Sequence, residues 1–517
     1  MKLHTITKRS YRTSALLLAV LLIFAGCKKG FLDRDPQGQY TQDDYPYPMG
    51  SGPYDTYLFG AYSELRAFNV HSQSFIAATS IRSDDADKGS TPADGGANAI
   101  DMDNFPVSPS NGFANTLWLG YYSLANKCNI ALDQVKNNGN IVATPEVKLQ
   151  SEGEARFLRA YSYFMLVRLF GRVPIIDQVF TDPAAQANVP QSEPAAVYTF
   201  IEDDLQFAAA NLPTVWDDKF VGRATSGAAN GLLAKVYLTQ QKWQQAMATA
   251  SLVMGSGLYN LSMSYDNVFR EVGENGPESV FEVQATATFQ VKTANGVQYA
   301  SIQGVRGTGI WNLGWGWNTP STSLEDAYED NDPRRTRTIL YTSNGTTTYS
   351  SIYGEELPVG LPNPRYNHKI HSDPGIRNAI ASNGSYWMNI RILRYADVVL
   401  MYAEAANEAG GAANIEAARV ALNSVRERAR RGAPAGTLPD ITTTDQAELR
   451  DSIRHERRVE MGMEHDRFFD IVRWGIAQEA LHAAGKTNFS NSRDVLLPIP
   501  QVQIDLSQGK LTQNAGY

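Results

Sequence analysis

The chain has almost no cysteine: of 517 residues only Cys27 and Cys128 carry a thiol. A fold stapled by several disulfides is excluded, so stability must come from packing. A basic excess is missing too. With 46 Lys and Arg against 54 Asp and Glu the net charge is −8, and no broad cationic surface exists to hold a phosphate backbone. The short cationic run Arg426–Arg431 falls in the last turn of a helical pattern, where cations favour the dipole, and reads as a solvated helix end. A long apolar run is also absent: crossing a bilayer takes about 20 helical residues, and Ala15–Phe24 is shorter.

Catalytic and metal signatures are missing as well. His455-Glu456-Arg457-Arg458-Val459 opens like a zinc-protease helix but has Val459 where the second His must ligate, and His368 and His371 have no evident third ligand. A calcium loop counted from Asp85 places Gly96 where the bidentate Glu belongs. Gly304–Gly309 has glycine spacing without the preceding strand and following helix that would seat a phosphate. No nucleophile elbow occurs. A glycosidase needs two carboxylates at a set separation, which the sequence does not specify. The reading is a protein with no metal, no cofactor and no enzymatic role.

The N-terminus carries an address. Lys2, Lys8, Arg9 and Arg12 precede the apolar run, and Ala25-Gly26 stand before Cys27. The expected reading is a lipoprotein signal over residues 1–26, with Cys27 as the lipidated N-terminus and 27–53, rich in Asp, Pro, Gly and Gln, as a tether; ordinary secretion is the alternative. Cys128 is left as a small core residue in a helical stretch.

Beyond the tether, helical periodicity dominates. Tyr57–Phe68, Leu117–Val135, Glu146–Phe170, Ala195–Ala210, Ser226–Gln240 and Gln244–Ser256 are expected helices, followed later by Arg394–Gly411, a partner ending at Gly432 and Pro434, and Ala447–Ala484. In Arg394–Gly411 the residues Tyr395, Val398, Val399, Tyr402, Ala406 and Ala409 form an apolar stripe, with Arg394, Asp397, Glu404 and Glu408 elsewhere. Gly410-Gly411 stop it, and Asn414 is the expected cap of the next helix. Arg394 and Asp397, one turn apart, read as a helix-start pair. Small residues on the contact faces allow the close packing of tetratricopeptide-type arrays. Residues 260–389 differ: they are rich in Gly, Thr, Asn, Ser, Pro and aromatics, with little 3.6-residue periodicity. The fold class is therefore mainly α, a tetratricopeptide-like helical-hairpin scaffold (54–259 and 390–517 of a single domain 54–517) with a long loop-rich insert containing minor short β-strands.

Six ordered segments carry a family resemblance. They are Glu154–Pro174 (EARFLRAYSYFMLVRLFGRVP), Arg223–Leu238, Arg394–Ala405 (RYADVVLMYAEA), Asn423–Ala429, Glu456–Gly475 (ERRVEMGMEHDRFFDIVRWG), and the ending Leu497–Pro500 with Gln513–Tyr517. Together they resemble the SusD/RagB family, although Met463 and His465 stand where the family more often has Phe and a small residue. The resemblance implies an outer-membrane, cell-surface lipoprotein that captures an oligosaccharide or polysaccharide and acts as the lid of a SusC-like TonB-dependent transporter. The same architecture capturing peptides or another nutrient is the alternative, and a secreted glycoside hydrolase a more distant one.

Sugar capture needs flat apolar faces rimmed by groups that hydrogen-bond hydroxyls. Trp311, Trp315 and Trp317 share parity if extended and would then form a platform on one face, with Asn318 next in sequence; aromatics that plug the scaffold are the alternative. Tyr299 and Gln298 are weaker additions. A second expected rim is Arg82, Asp84 and Asp85, an acidic turn after the apolar run Phe75–Ile81, with a plain solvated turn as the alternative.

Overall fold

The computed structural model describes residues 52–517. Cys27, the signal segment and nearly all of the tether lie outside the described residues. Helix α1 (Asp55–Glu64) precedes the long pair α2 (Gly112–Asn137) and α3 (Pro145–Phe170), followed by α4 (Pro194–Asn211), α5 (Ser226–Thr239) and α6 (Trp243–Met254). After the insert come α7 (Tyr395–Ala409), α8 (Ala412–Ala429), α9 (Gln446–Met461) and α10 (Arg467–Arg473). The eight strands among the described residues are short: β1 (Ala86–Gly89), β2 (Val173–Pro174), β3 (Gln191–Ser192), β4 (Ser279–Val283), β5 (Trp317–Pro320), β6 (Ile339–Tyr341), β7 (Arg365–Asn367) and β8 (Ile390–Arg394). They pair as four two-stranded antiparallel ribbons, β1–β5, β2–β3, β4–β8 and β6–β7.

Each scaffold helix from α2 to α8 packs on the next, and α6 packs on α7 although residues 255–394 separate them. A helix pair leaves an apolar face that only the neighbouring pair can cover, so the array runs past the insert. Local chemistry fixes its ends. Asn111, Thr144, Thr225 and Asp445 accept backbone N–H bonds at the starts of α2, α3, α5 and α9, and Pro145 and Pro194 begin α3 and α4. Cys128 is sealed in the core on α2, as its setting in the sequence suggests.

Four details depart from the sequence expectations. Asn414 sits inside α8 rather than capping it; Gly411, at φ +86°, takes the cap position, and the Asn414 amide donates to Gly410 O at 2.9 Å. The span 447–484 breaks into α9, α10 and Ala477–Ala483. The first break holds Met463 and His465 at φ +68° and +71°, a backbone region no continuing helix can use. Arg394 and Asp397 do not form the expected helix-start pair. Asp397 pairs with Lys235 and Arg457, and Glu404 with Arg473, while Arg394 turns away from Asp397 to meet Glu278, Glu460 and Glu464. The expected solvated end at Arg426–Arg431 is divided: Arg426 and Arg428 are buried against Glu456, Glu278 and Glu460, where α8 packs on α9, while Arg431 is exposed and Arg430 partly so.

Candidate functional site

The three tryptophans expected to share a face do not. Trp311 lies in a single helical turn, buried with Leu340, Leu357 and Tyr366 and stacked on His371 at 5.9 Å. Trp317 is wholly buried on β5, between Phe113 and Gly95, with the Lys88 ammonium 5.7 Å from its ring. A Cβ at Gly95 would lie 2.4 Å from the Trp317 ring, and Gly95 has φ +76°, so both shape and backbone demand glycine there. Only Trp315 is open, 53% exposed. Parity fails because the chain is extended only from Trp317 to Pro320, and a helical turn and glycines interrupt what precedes it.

Trp315 projects from a firmly held backbone. Its N–H donates to Ser301 O at 3.0 Å, the Gly314 N–H to Val305 O at 3.1 Å, and the Gly316 N–H to Gly304 O at 2.9 Å. This closeness explains the glycines: a Cβ on Gly314 would fall 2.2 Å from Ser301 O. The glycine spacing around Gly304 thus serves backbone approach and not a phosphate.

Polar groups gather beside this loop. The Ser90 N–H donates to Gly316 O at 2.7 Å, and Arg306 Cβ abuts Gly316. The Arg306 guanidinium donates to Ser90 Oγ at 2.6 Å and ion-pairs with Asp94, both charged side chains remaining partly open to water. The hydrogen bond from Ser90 holds the Asp94 carboxyl below its usual range, with help from Arg306. The Lys88 ammonium ties the turn together, donating to the carbonyls of Thr91 at 2.7 Å and Asp94 at 3.2 Å. An exposed indole, with a partly open guanidinium and carboxylate beside its loop, can stack on a sugar ring and bond its hydroxyls, while the buried Ser90 hydroxyl holds that ion pair in place.

The remaining expected contacts are structural. Asp84 and Asp85 are sealed beneath Arg458 and Arg467, with Arg467 Nε and Nη2 each donating to Asp84 at 2.8 Å. Burial raises the Asp84 carboxyl, but Arg467 and Arg458 outweigh it and hold it down at about 2. Arg82 is buried over Phe468, donating to Asp494 O at 2.6 Å. These three residues form neither a ligand rim nor a solvated turn; they fasten the N-terminal half to α9 and α10. Tyr299 is buried with its hydroxyl 2.9 Å from His465 Nδ1, and Gln298, partly buried, heads its short helix. Asn318, at φ +57°, is buried and donates to Gln303 at 2.7 Å. All of these side chains except Gln298 are buried, and a group sealed inside the fold cannot reach a ligand at the surface.

Sequence reading missed Arg306, Asp94 and Ser90. Their one local signal is glycine next to a polar residue, in Arg306-Gly307 and Asp94-Gly95. Among the described residues no cluster of His, Cys, Asp and Glu could hold a metal ion, and no helix is long and apolar enough to cross a membrane.

Comparison with known proteins matches this architecture. The SusD family model matches residues 277–517, and a model described as starch-binding, associating with outer membrane, matches residues 62–238. SusD-like protein P2 of Formosa agariphila is 27% identical over 98% of this chain and 100% of its own length. A SusD-like protein of Bacteroides ovatus is 28% identical over 90% of this chain and 83% of its own. Among solved structures, a laminarin binding SusD-like protein superposes with a TM-score of 0.73 at 28% identity, covering 90% of this chain and 99% of that one. With two family models spanning most of its length and relatives matching nearly end to end, the chain belongs to the SusD/RagB family of outer-membrane-associated, carbohydrate-binding proteins.

Proposed function

We propose that this protein captures an oligosaccharide at the cell surface, without turning it over, and delivers it to a SusC-like TonB-dependent transporter on which it acts as a lid. The observation that carries the reading is the exposed Trp315 on a pinned backbone, with Arg306, Asp94 and Ser90 beside it. The laminarin binding relative, and the starch-binding description of the model matched by residues 62–238, favour a glycan as the ligand. A binding role fits the acid present: Asp94 is held ionised by Ser90 and Arg306, and an ionised carboxylate has no proton to give a leaving sugar oxygen. Anchoring would come through Cys27, which the N-terminal pattern marks as the lipidated residue.

Affinity electrophoresis and calorimetry against a glycan panel, laminarin and starch included, test the reading. Saturable binding that Trp315→Ala removes, with the glycan recovered intact, is the expected result. Full-strength binding by that variant would remove Trp315 from the site, and release of shortened product would end the non-enzymatic claim. Copurification of a large outer-membrane barrel in mild detergent is expected of a transporter lid.

A further inference from the structure

A separate polar cleft lies between α9 and the helix Ala477–Ala483, with a volume of about 420 Å³. That is the size of pocket that takes a small ligand. Asp451, Arg454, His455 and Arg458 line one wall at helical i, i+3, i+4 and i+7 spacing, and Ile476, Ala480 and Ala483 offer an apolar wall opposite. Trp474 sits at the base, its indole N–H donating to Glu404 at 2.8 Å.

The cations around the cleft are not equivalent. Arg458 and Arg467 are committed to Asp84 and Asp85, and Arg473 to Glu404 and Asp470. Arg454 is the exception. Its guanidinium lies 5.1 Å from the Trp474 ring centroid, forms no ion pair among the described residues, and its Nε is shut off from water without a hydrogen-bond acceptor. Its terminal nitrogens donate no hydrogen bond among the described residues and the half-buried side chain lines the cleft, so a charge-assisted bond to an incoming oxyanion is open to them. Stacking on the indole holds the fork of donors in place. Asp451 and Glu479, both exposed, stand among the lining residues and repel a chain charged at every unit. A single anionic group presented on a mostly neutral body avoids that repulsion, with the apolar wall available to a sugar face.

We propose that this cleft is a second ligand site, taking a saccharide that bears one oxyanion, a uronate carboxylate or a sulfate ester, through Arg454. The saccharide part rests on the glycan-capture reading; the anion site does not. Calorimetry would compare a glucuronate-terminated oligosaccharide, galactose 6-sulfate, a matched neutral oligosaccharide and an Asp/Glu-rich peptide, at low and high salt. Wild-type protein, Arg454→Gln, Arg454→Lys and Trp315→Ala would be used, each first checked for an unchanged melting temperature. The expected result is saturable binding of one or both acidic saccharides that Arg454→Gln weakens at least 10-fold, that Arg454→Lys weakens less, and that Trp315→Ala leaves in place. The two acidic ligands tell carboxylate from sulfate. Equal affinity in Arg454→Gln, no saturable binding by wild-type protein, or binding of the acidic peptide alone would overturn the proposal. Failure of Trp315→Ala to affect the neutral glycan would instead count only against the Trp315 site.

Discussion

Arg394 and Arg306 are both ion-paired arginines, and their surroundings make them different groups. Arg394 is buried where β8 meets α7, sharing Glu278, Glu460 and Glu464 with Arg428, Arg334 and Lys369. Every oxygen and nitrogen there that finds a partner finds it inside the protein, and removing one member strands a charge away from water. Arg306 meets Asp94 in the open, where water screens the pair and little is lost when it opens. The buried cluster therefore locks the insert strand β4 to the helical scaffold, since Glu278 precedes β4 and Glu460 lies on α9. The open pair keeps its bonding capacity for a ligand.

Acid is expected to widen that difference most, because it acts on many buried groups at once. Burial lowers His71 and His368 to about 3 and His465 to about 4. The unfolded chain takes up these protons near pH 6.5 while the folded one does not, so their contribution is complete above about pH 6.5 and declines as pH falls toward 4. Burial raises the Glu460 carboxyl, but Arg428, Arg394 and Arg334 outweigh it and hold it at about 2. Its contribution is present above its unfolded value near 4 and is lost below it. Thermal unfolding followed by circular dichroism should show a melting temperature that drops below pH 6.5 and drops faster below pH 4. A flat profile from pH 7 to 4 would contradict the neutral buried histidines.

Within the cluster, Glu460→Ala should destabilise by roughly 3–5 kcal/mol, the range for stranding a buried charge, read by urea or thermal denaturation. Trp317→Ala should cost a similar ~3–5 kcal/mol by opening a cavity between Phe113 and Gly95. Two residues earlier, Trp315→Ala should change stability by less than about 0.5 kcal/mol yet weaken glycan binding by on the order of 2 kcal/mol, about 30-fold. This pair of tryptophans sharpens the comparison most directly, since reversed outcomes would exchange core and site. The smallest stability effect is expected from Arg306→Ala, within ~0–1 kcal/mol, with a loss of affinity measurable by calorimetry.

Much of the scaffold was legible in the sequence because helix starts and stops are written locally. Asn111, Thr144 and Pro145, and Gly410-Gly411, act on backbone groups within a turn of themselves. The six ordered segments that resemble SusD/RagB proteins are part of the same legible layer, and several of them, Glu456–Gly475 above all, form the buried ion clusters rather than a ligand surface. The candidate site was less legible. Arg82, Asp84 and Asp85 resemble an exposed polar turn, and only the return of α9 and α10 from several hundred residues away supplies the arginines that bury them. Likewise Trp311, Trp315 and Trp317 are alike in sequence, and the approach of Gly95 and Phe113 to one and His371 to another decides which ring is left to solvent.

Periodicity, caps and glycines act over one or two turns, so the helical array, most of its ends and the family resemblance follow from the sequence alone, whereas the breaks within 447–484 do not. Only the tertiary structure settles which charges are buried, which indole is open and which arginine at the α9 cleft is left without an ion pair. Those outcomes depend on what arrives from distant parts of the chain, and burial rather than residue type sets whether a charge or a ring holds the fold or remains available to a ligand.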